Sequence, residues 1–303
     1  MPNTLAHLGV QSIFTRITIR DADNKWIYVG CILPDFSWIL QRFVRIAFPS
    51  IDLYDLRLYA IVQASFCFCL LLSWALAMFS ARFWKTFAIL TLNAFLHLIL
   101  DACQTKWANG VHFLAPFNWR LMNFGLFWPE NPLTHLLGVL GLGYFITNWW
   151  RDVVIPVDIT WRRNVRVWAA FTLIAVYLVL PLMFLDSAEA AGNHFVRTLR
   201  SRYDRAGQHV EFDRNTYLHR RPEGILRTFA GEELGVEGMA LDCSASVSVR
   251  GTFITENRIR VHEYHVHTQW IRNNASYLGL ILVALLWGYA LVRQKSRTGR
   301  LVG

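Results

Sequence analysis

The chain has 303 residues, of which 54% are hydrophobic and 17% are charged, and it contains 13 tryptophans. This composition and the positive mean hydropathy exclude an ordinary soluble domain and indicate a membrane protein. The net charge of +9 comes mostly from loops between apolar runs, so it gives little reason to expect a nucleic-acid partner.

The first fifty residues are predicted to form a short helical hairpin. The stretch "TLAHLGVQSIFTRI" reads as an amphipathic helix, "DADN" at 21–24 as a turn, and "KWIYVGCILPD" as a second apolar segment that ends at Asp35. His7 and Asp35 are about equally far from the turn, so an antiparallel hairpin would bring them to the same end. Two simpler roles remain open, with Asp35 as the N-cap of the next helix and His7 as a helix-start residue.

Five apolar runs are each about as long as the ~20 residues that cross a bilayer, at 58–80, 87–101, 133–150, 166–185 and 275–292. Basic residues follow the first and third runs and fill the C-terminal tail, which places these segments in the cytoplasm. Alternation then puts 102–132 and 186–274 outside, in the periplasm of a bacterium. Residues 1–57 should also lie outside, and this conflicts with their six basic residues, Arg16, Arg20, Lys25, Arg42, Arg45 and Arg57.

The second run carries an ionisable pair, His97 and Asp101. Residues four apart lie on one helix face, and Asn93 continues that face one turn deeper. Ionisable groups in a membrane span are costly unless they meet a partner, water or a metal. The pair is therefore a candidate functional site, although a helix-end hydrogen bond is an open alternative.

The segment 186–274 is predicted to be a small β-rich domain outside the cytoplasm. A charged helical stretch, "AGNHFVRTLRSRYDRAG", precedes alternating runs such as "SVSVRGTFI" and "RIRVHEYHVH", which favour a five-stranded barrel. His265 and His267 share one strand face and can chelate a metal, but no third ligand is near in sequence, so a polar strand face is the favoured interpretation. Of the five cysteines only Cys243 lies in this segment, which excludes a disulfide framework there.

The predicted fold is thus an α-helical integral membrane protein with about five transmembrane helices, an N-terminal helical hairpin and a small β-rich extracytoplasmic domain. The expected divisions are a membrane-embedded domain at 1–185, the outer domain at 186–274, and a last transmembrane helix with a cytoplasmic tail at 275–303.

Several motifs in residues 1–150 together resemble a known family. These are "NTLAH", "GCILPD", "HLILD" and "TKWANGVHFLAPFNWRLMNFGLFWP", which are similar to the bacterial membrane-bound metal-dependent hydrolases of the YdjM type, themselves distantly similar to zinc-dependent phospholipase C. The resemblance implies metal-binding positions at His7, Asp35, His97 and Asp101.

The chain departs from that family at one element. Members usually carry a histidine-containing stretch of the form H-R-G-x-T-H-S, where this chain has "SIDLYDLRLYAIVQAS". Residues that can replace the missing ligand are Asp52, Asp55, His112 and His135, each of which can also be an ordinary loop or interface residue. Arg120 can pair with a phosphate or anchor the membrane interface beside Trp119.

Two imidazoles and two carboxylates with one open position can hold a divalent ion, expected to be Zn²⁺. Such an ion activates water and stabilises a phosphoryl or carbonyl oxygen under attack, and Asp35 or Asp101 can serve as general base. The expectation is an inner-membrane hydrolase of a lipid or lipid-linked phosphoester, acting near the periplasmic face. The alternatives are a non-catalytic subunit or sensor with a structural metal, whose 186–274 domain binds a partner, and a transporter with a His97–Asp101 relay.

Overall fold

The computed structural model describes residues 3–159, 165–220 and 224–300. It is mostly helical, with one small β-barrel between the last two long helices. The described helices are α1 (Thr4–Thr18), α2 (Asn24–Ile32), α3 (Phe36–Ala47), α4 (Leu53–Gln63), α5 (Phe66–Ala77), α6 (Phe83–Ala102), α7 (Pro132–Val154), α8 (Val165–Val179), α9 (Leu185–Ala190), α10 (Val196–Arg200) and α11 (Gln269–Arg300).

Three described segments are long and apolar enough to cross a membrane, namely Phe83–Ala102, Val165–Ala190 and Ile271–Lys295. A fourth candidate is the pair α4–α5, which is bent by 69° at the break between the two helices. The run predicted as the third span corresponds to α7, which is 23 residues long but falls outside this group because polar residues such as Asn148 and Asp152 make it less apolar. The structure therefore supports three or four spans, where the sequence predicts five.

The N-terminal segment forms a hairpin in which α1 packs along α7 and α2 packs along α6. The approach of α1 to α7 is very close, because a Cβ atom at Gly141 would overlap the backbone oxygen of Leu5. Small residues allow helix backbones to meet in this way. The hairpin therefore lies alongside the longer helices rather than apart from them.

The hairpin turn is held by buried polar contacts to the end of α7. Lys25 is fully buried, with its Nζ 3.0 Å from Asp23 Oδ1, and it donates to the backbone oxygen of Asp152 at 3.0 Å. Asn24 donates to the Asp152 carboxylate at 2.8 Å. A buried ammonium group needs this compensation, so the contacts fix where the turn lies.

The same end of the molecule contains the loops predicted to be cytoplasmic. Asp158 accepts hydrogen bonds from Ser80 at 2.8 Å and Arg82 at 3.2 Å, and the Gln294 side chain accepts from the Val157 N–H at 2.8 Å. The basic residues Arg16, Arg20 and Lys25 lie on or beside the hairpin turn and so belong to this end. These three residues therefore agree with the charge rule for the short loops, whereas Arg42 and Arg45 of α3 and Arg57 of α4 still conflict with it.

The barrel is closed and small. Its strands are β1 (His209–Leu218), β2 (Gly224–Arg227), β3 (Glu233–Glu237), β4 (Ala245–Thr255) and β5 (Arg258–His267), in the order β1-β2-β3-β5-β4 with β4 paired to β1. The β3–β5 pair is parallel and the others are antiparallel. Alternate residues such as Val247, Val249 and Phe253 fill its core, as the period of two in the sequence predicts.

Ionic contacts attach the barrel to the helices. Arg205 is fully buried and binds both carboxylate oxygens of Glu232 at 2.9 Å, in the bidentate geometry that favours Arg. Arg200 of α10 contacts Asp55 of α4 at 2.5 Å and Glu189 at 2.6 Å. The barrel and the α4 end of the helical part are thus joined around one interface.

We expect alkaline phosphatase fused after Ala240 to be active and the same enzyme fused after Asp158 to be inactive. The reason is that alkaline phosphatase needs the oxidising periplasm to form its disulfides, and the positive-inside rule puts the barrel there. Phosphatase activity in whole cells, normalised to fusion level, is the measurement. Activity at Asp158 without activity at Ala240 would reverse the orientation.

Candidate metal centre

Two members of the centre come from α6. His97 and Asp101 lie one turn apart, and 1% and 9% of their surfaces are exposed. His97 Nε2 is 3.9 Å from Asp101 Oδ2. One turn deeper, Asn93 donates to the Ile89 carbonyl and accepts from the Thr15 hydroxyl. A buried polar face therefore runs along α6 toward α1.

The hairpin adds His7 and Asp35 to this face. His7 Nε2 is 3.6 Å from Asp101 Oδ1, and its ring stacks on that of His97 with 3.9 Å between ring centres. Asp35 Oδ1 is 3.6 Å from His97 Nε2, and the Asp35 side chain makes no capping hydrogen bond to α3. All four side chains that the sequence predicts as ligands thus converge at one place.

The ring orientations suit metal binding. His97 Nδ1–H donates to the Cys31 carbonyl at 2.6 Å, which leaves the Nε2 lone pair facing the carboxylates. Gln11 Nε2 lies 2.8 Å from His7 Nδ1. Because the nitrogen and oxygen of an amide can exchange places by a flip, metal binding through His7 Nε2 requires the flipped amide, whose oxygen accepts from Nδ1–H. Nε2 of both histidines and Oδ1 of Asp101 are buried without a hydrogen-bond partner. Such atoms are costly to bury together unless a cation satisfies them.

The spacing of these atoms fits a divalent ion. Ligands that lie ~2.0–2.2 Å from a tetrahedral Zn²⁺ are about 3.4 Å apart. His7 Nε2 is 3.6 Å from Asp101 Oδ1, and one ligand atom from each of His7, His97 and Asp101 lies within 4.8 Å of the other two. His7, His97 and Asp101 form one of two described groups that could hold a metal ion. Nitrogen and oxygen donors in this mixture suit Zn²⁺ and similar ions.

Lys106 also belongs to the centre, and the sequence did not predict it. Its Nζ is 3.0 Å from Asp101 Oδ2, and only 5% of its side chain is exposed. It follows the end of α6, where helical spacing gives no information about direction. Lys106 holds one oxygen of Asp101, while the other oxygen faces His7.

A cavity of about 360 Å³ opens onto the centre between the helices and the barrel, and Asp35, His97 and Asp101 line it. Five cationic side chains line the same cavity, Arg42, Arg57, Lys106, Arg214 and Arg272, together with three carboxylates, Asp35, Asp101 and Asp213. With the histidines neutral, the lining has an excess of two positive charges. The cavity therefore favours an anionic ligand.

Arg214 reaches the cavity from an irregular point in β1. The pairing of β1 with β4 shifts between Phe212 and Asn215, and Arg214 has a φ of 53°, a conformation that costs a non-glycine residue about 1–3 kcal/mol. Its Nε and Nη2 are buried without a hydrogen-bond partner. A bulge that turns a side chain in this way is common beside functional sites.

Arg57 of α4 faces the cavity from the opposite wall. Its Nη2 is 3.1 Å from His194 Nδ1, and its guanidinium lies 4.3 Å from the centre of the Phe229 ring. Its Nε is buried without a hydrogen-bond partner. Arg57 and Arg214 thus both retain N–H groups that an anion can satisfy.

Three other titratable residues of the cavity wall, His112, His194 and Asp213, each have one predominant protonation state at neutral pH. Burial lowers the pKa of His112 to about 4, and burial followed by the charge of Arg57 lowers the pKa of His194 well below its usual range. Burial alone would raise the pKa of Asp213, but the Arg214 charge and the Asn109 hydrogen bond outweigh it and lower the pKa to about 2. Both histidines are therefore neutral and Asp213 is ionised.

The additional candidates have mixed outcomes. His112 is buried in the cavity wall, whereas Asp52 and Asp55 are half-exposed and pair with Arg200. His135 on α7 and the exposed Arg120 do not line the cavity. The structure therefore does not bring Asp52, Asp55, His135 or Arg120 to the centre, because each is held or oriented elsewhere by its own element.

The second described group that could hold a metal ion is Glu130, His265 and His267. The sequence identified the two histidines but not a third residue, so it favoured a polar strand face. Glu130 reaches them because the segment between α6 and α7 folds against the barrel, with Asn109 donating to Asp213 at 2.9 Å. No short-range spacing in the sequence signals this contact.

Comparisons of the chain with protein-family models, with curated proteins and with solved structures found no match.

Proposed function

We propose that the protein is a metal-dependent hydrolase of the bacterial inner membrane that cleaves a lipid or lipid-linked phosphoester near the periplasmic face. The observation that carries the proposal is the arrangement of His7, His97 and Asp101 beside a cavity with an excess of cations. A metal-ligand group alone is compatible with a structural ion. The same group beside arginine N–H groups that lack hydrogen-bond partners, on Arg57 and on Arg214, which also lies 3.8 Å from Asp213 Oδ1, favours chemistry on a phosphate.

The reaction needs an activated water and a proton acceptor. A bound divalent ion supplies the first, because it lowers the pKa of a coordinated water and stabilises charge on a phosphoryl oxygen. Asp35 directs Oδ1 toward His97, so Oδ2 is available to accept the proton of the attacking water. Lys106 holds Asp101 Oδ2 and keeps that carboxylate oriented.

The phosphate is oriented by the arginines of the cavity. Arg57 and Arg214 carry N–H groups that lack hydrogen-bond partners. A guanidinium group can bind two oxygens of one phosphate through two parallel N–H···O hydrogen bonds. Charge-assisted hydrogen bonds of this kind contribute about 1.5–3 kcal/mol each. The arginines therefore select a phosphoester over a neutral ester.

The helix α3 supports a lipid substrate. Its residues Trp38 and Arg42 line the cavity, while Phe43 and Ile46 on its outer side are 65% and 78% exposed. An amphipathic helix of this type lies in the membrane interface with its apolar face toward the acyl chains. A lipid headgroup in the cavity would then have its tails beside α3.

In this proposal α7 also crosses the bilayer, covered along part of its length by α1, and the C-terminus is cytoplasmic. The chain then crosses the bilayer five times, through the bent pair α4–α5, α6, α7, the segment Val165–Ala190 and α11. The hairpin enters from the periplasmic side, and its turn reaches the cytoplasmic end.

A second function is a non-catalytic subunit or sensor with a structural metal, in which the barrel binds a partner. Two observations favour it. The usual histidine element is replaced by α4, which supplies Arg57 instead of a ligand, and the Lys106 ammonium already neutralises part of Asp101. Under this reading the protein retains a metal but does not hydrolyse phosphoesters.

We expect His97→Ala and Asp101→Asn to lower phosphoesterase activity by about two orders of magnitude or more. Mutation of a residue that only hydrogen-bonds to a metal ligand typically lowers activity ~10–100-fold, and loss of the ligand itself has a larger effect. The measurement is phosphate or alcohol release from three probes in mixed micelles, a lipid phosphomonoester, a lipid phosphodiester and a polyprenyl diphosphate. His135→Ala is the matched control, because His135 lies outside the cavity, and it should keep full activity. A wild-type protein with stoichiometric metal that cleaves none of the probes would favour the non-catalytic function, and full activity of His97→Ala would contradict the proposed centre.

We expect Arg214→Gln and Arg57→Gln to reduce kcat/KM for the cleaved probe by about 10-fold or more, which corresponds to the loss of one charge-assisted hydrogen bond. Bound metal should stay at the wild-type level, because neither side chain is a ligand. Arg120→Gln serves as the control for loss of one positive charge, since Arg120 is exposed outside the cavity. Equal losses in all three variants would indicate a general surface-charge effect instead of phosphate binding.

A further inference from the structure

A second cluster of metal-ligand atoms lies where β5 meets the segment before α7. Glu130 Oε1 is 2.7 Å from His267 Nδ1, and Glu130 Oε2 is 3.5 Å from His265 Nε2. The His267 side chain is fully buried, and 29% of the His265 side chain is exposed. The Trp128 ring stacks on His265 at 3.9 Å with the two planes 2° apart, which fixes the direction of Nε2.

Hydrogen bonds fix the orientation of the His267 ring. Ser248 Oγ donates to Asp213 Oδ1 at 3.1 Å, and the ionised Asp213 has no proton to give in return. Ser248 has only one hydroxyl hydrogen, so the 2.8 Å contact to His267 Nε2 is a donation from the imidazole to Ser248. His267 Nδ1 then faces an oxygen of Glu130 at 2.7 Å.

The 2.7 Å contact between His267 Nδ1 and Glu130 Oε1 needs a proton or a metal ion between the two atoms. A proton can join His267 to Glu130, but it leaves the second pair, His265 Nε2 and Glu130 Oε2, which are buried without a hydrogen-bond partner. A divalent ion joins all three residues at once. The His265–Glu130 distance of 3.5 Å is close to the about 3.4 Å between ligands of a tetrahedral ion.

We propose that His265 Nε2, His267 Nδ1 and the Glu130 carboxylate form a second divalent-metal site, separate from the centre on α6. Two imidazoles and one carboxylate suit Zn²⁺ or a similar ion, with a further position for solvent. The Ser248–Asp213 pair behind His267 is the kind of outer contact that orients a metal-bound imidazole.

The order Ser248, His267, Glu130 also matches that of a nucleophilic triad, but the geometry does not support a nucleophile. Ser248 is fully buried, it does not line the cavity, and its hydroxyl is directed to Asp213. An attacking oxygen must reach a substrate carbon or phosphorus. The serine therefore acts as a support for the histidine.

The second ion has a structural role. It joins β5 to the segment between α6 and α7, which also contacts the barrel through Ala108 N–H to Glu211 at 2.7 Å and through Asn109 to Asp213 at 2.9 Å. This segment carries Lys106, the residue that holds Asp101. The ion therefore fixes the cavity wall without touching the reacting atoms.

The test uses the full chain in detergent, stripped of metal and reloaded with Zn²⁺ alone, with zinc counted by mass spectrometry. We expect about two ions per chain in the wild type and about one in Glu130→Gln and in His265→Ala, because each ligand loss releases one ion. His262→Ala is the matched control, since His262 is an exposed histidine of the same strand that contacts Thr252, and it should keep the wild-type content.

Zinc-edge X-ray absorption of the His97→Ala protein gives a second measurement that does not depend on a variant of the new site. Coordination by two imidazoles is expected there. Unchanged zinc content in both Glu130→Gln and His265→Ala, or no zinc in His97→Ala, would overturn the proposal. Loss of zinc in the Glu130 and His265 variants with one ion at most in the wild type would support this site and contradict the centre on α6, so the two proposals fail separately.

Discussion

The burial of two imidazoles and two carboxylates in one small volume is the constraint on which the rest of the structure depends. Contacts of 3.6–3.9 Å join His7 to Asp101, Asp35 to His97, and His97 to Asp101. The Lys106 ammonium compensates only one oxygen of Asp101. Uncompensated buried charge costs several kcal/mol per group. The hairpin, the close packing of α1 on α7 and the histidine hydrogen bonds hold these groups together, in an arrangement that could hold a metal ion.

The cavity above this centre needs both parts of the molecule. The helices supply the metal-ligand atoms and Arg57, whereas the barrel supplies Arg214 and Asp213. The position of the Arg214 side chain depends on the β1 bulge and on the positive φ of this residue. A barrel with regular pairing would have neither feature. The barrel therefore contributes to the site itself and is not only an attached domain.

The sequence predicted the features that depend on local spacing. The four-residue interval of His97 and Asp101 gave their common face, the polar turn gave the hairpin, and the alternation in 209–267 gave the barrel. It did not predict Arg57, Arg214 or Glu130, because each meets its site only through tertiary packing over a long stretch of chain. It did not predict Lys106 because this residue follows the end of α6, where helical spacing no longer gives the direction of a side chain.

The span count shows the same limit. Hydropathy treats α7 as an independent apolar run, yet its Asp152 accepts hydrogen bonds from Asn24 and Lys25 of the hairpin. The first run is divided into two bent helices by a break at Ser65, the residue before α5. The resemblance to metal-dependent hydrolases placed His7 and Asp35 on ligand positions but could not show what replaces the missing histidine element. At that place α4 carries Arg57, which lines the cavity.

Anomalous X-ray scattering at the zinc edge, from crystals of the zinc-loaded full chain, tests the central claim most directly. The account predicts a peak about 2.0–2.2 Å from His7 Nε2, His97 Nε2 and an oxygen of Asp101, the distances of zinc ligands. A map without a peak there, in crystals where Lys106 alone neutralises Asp101, would contradict it.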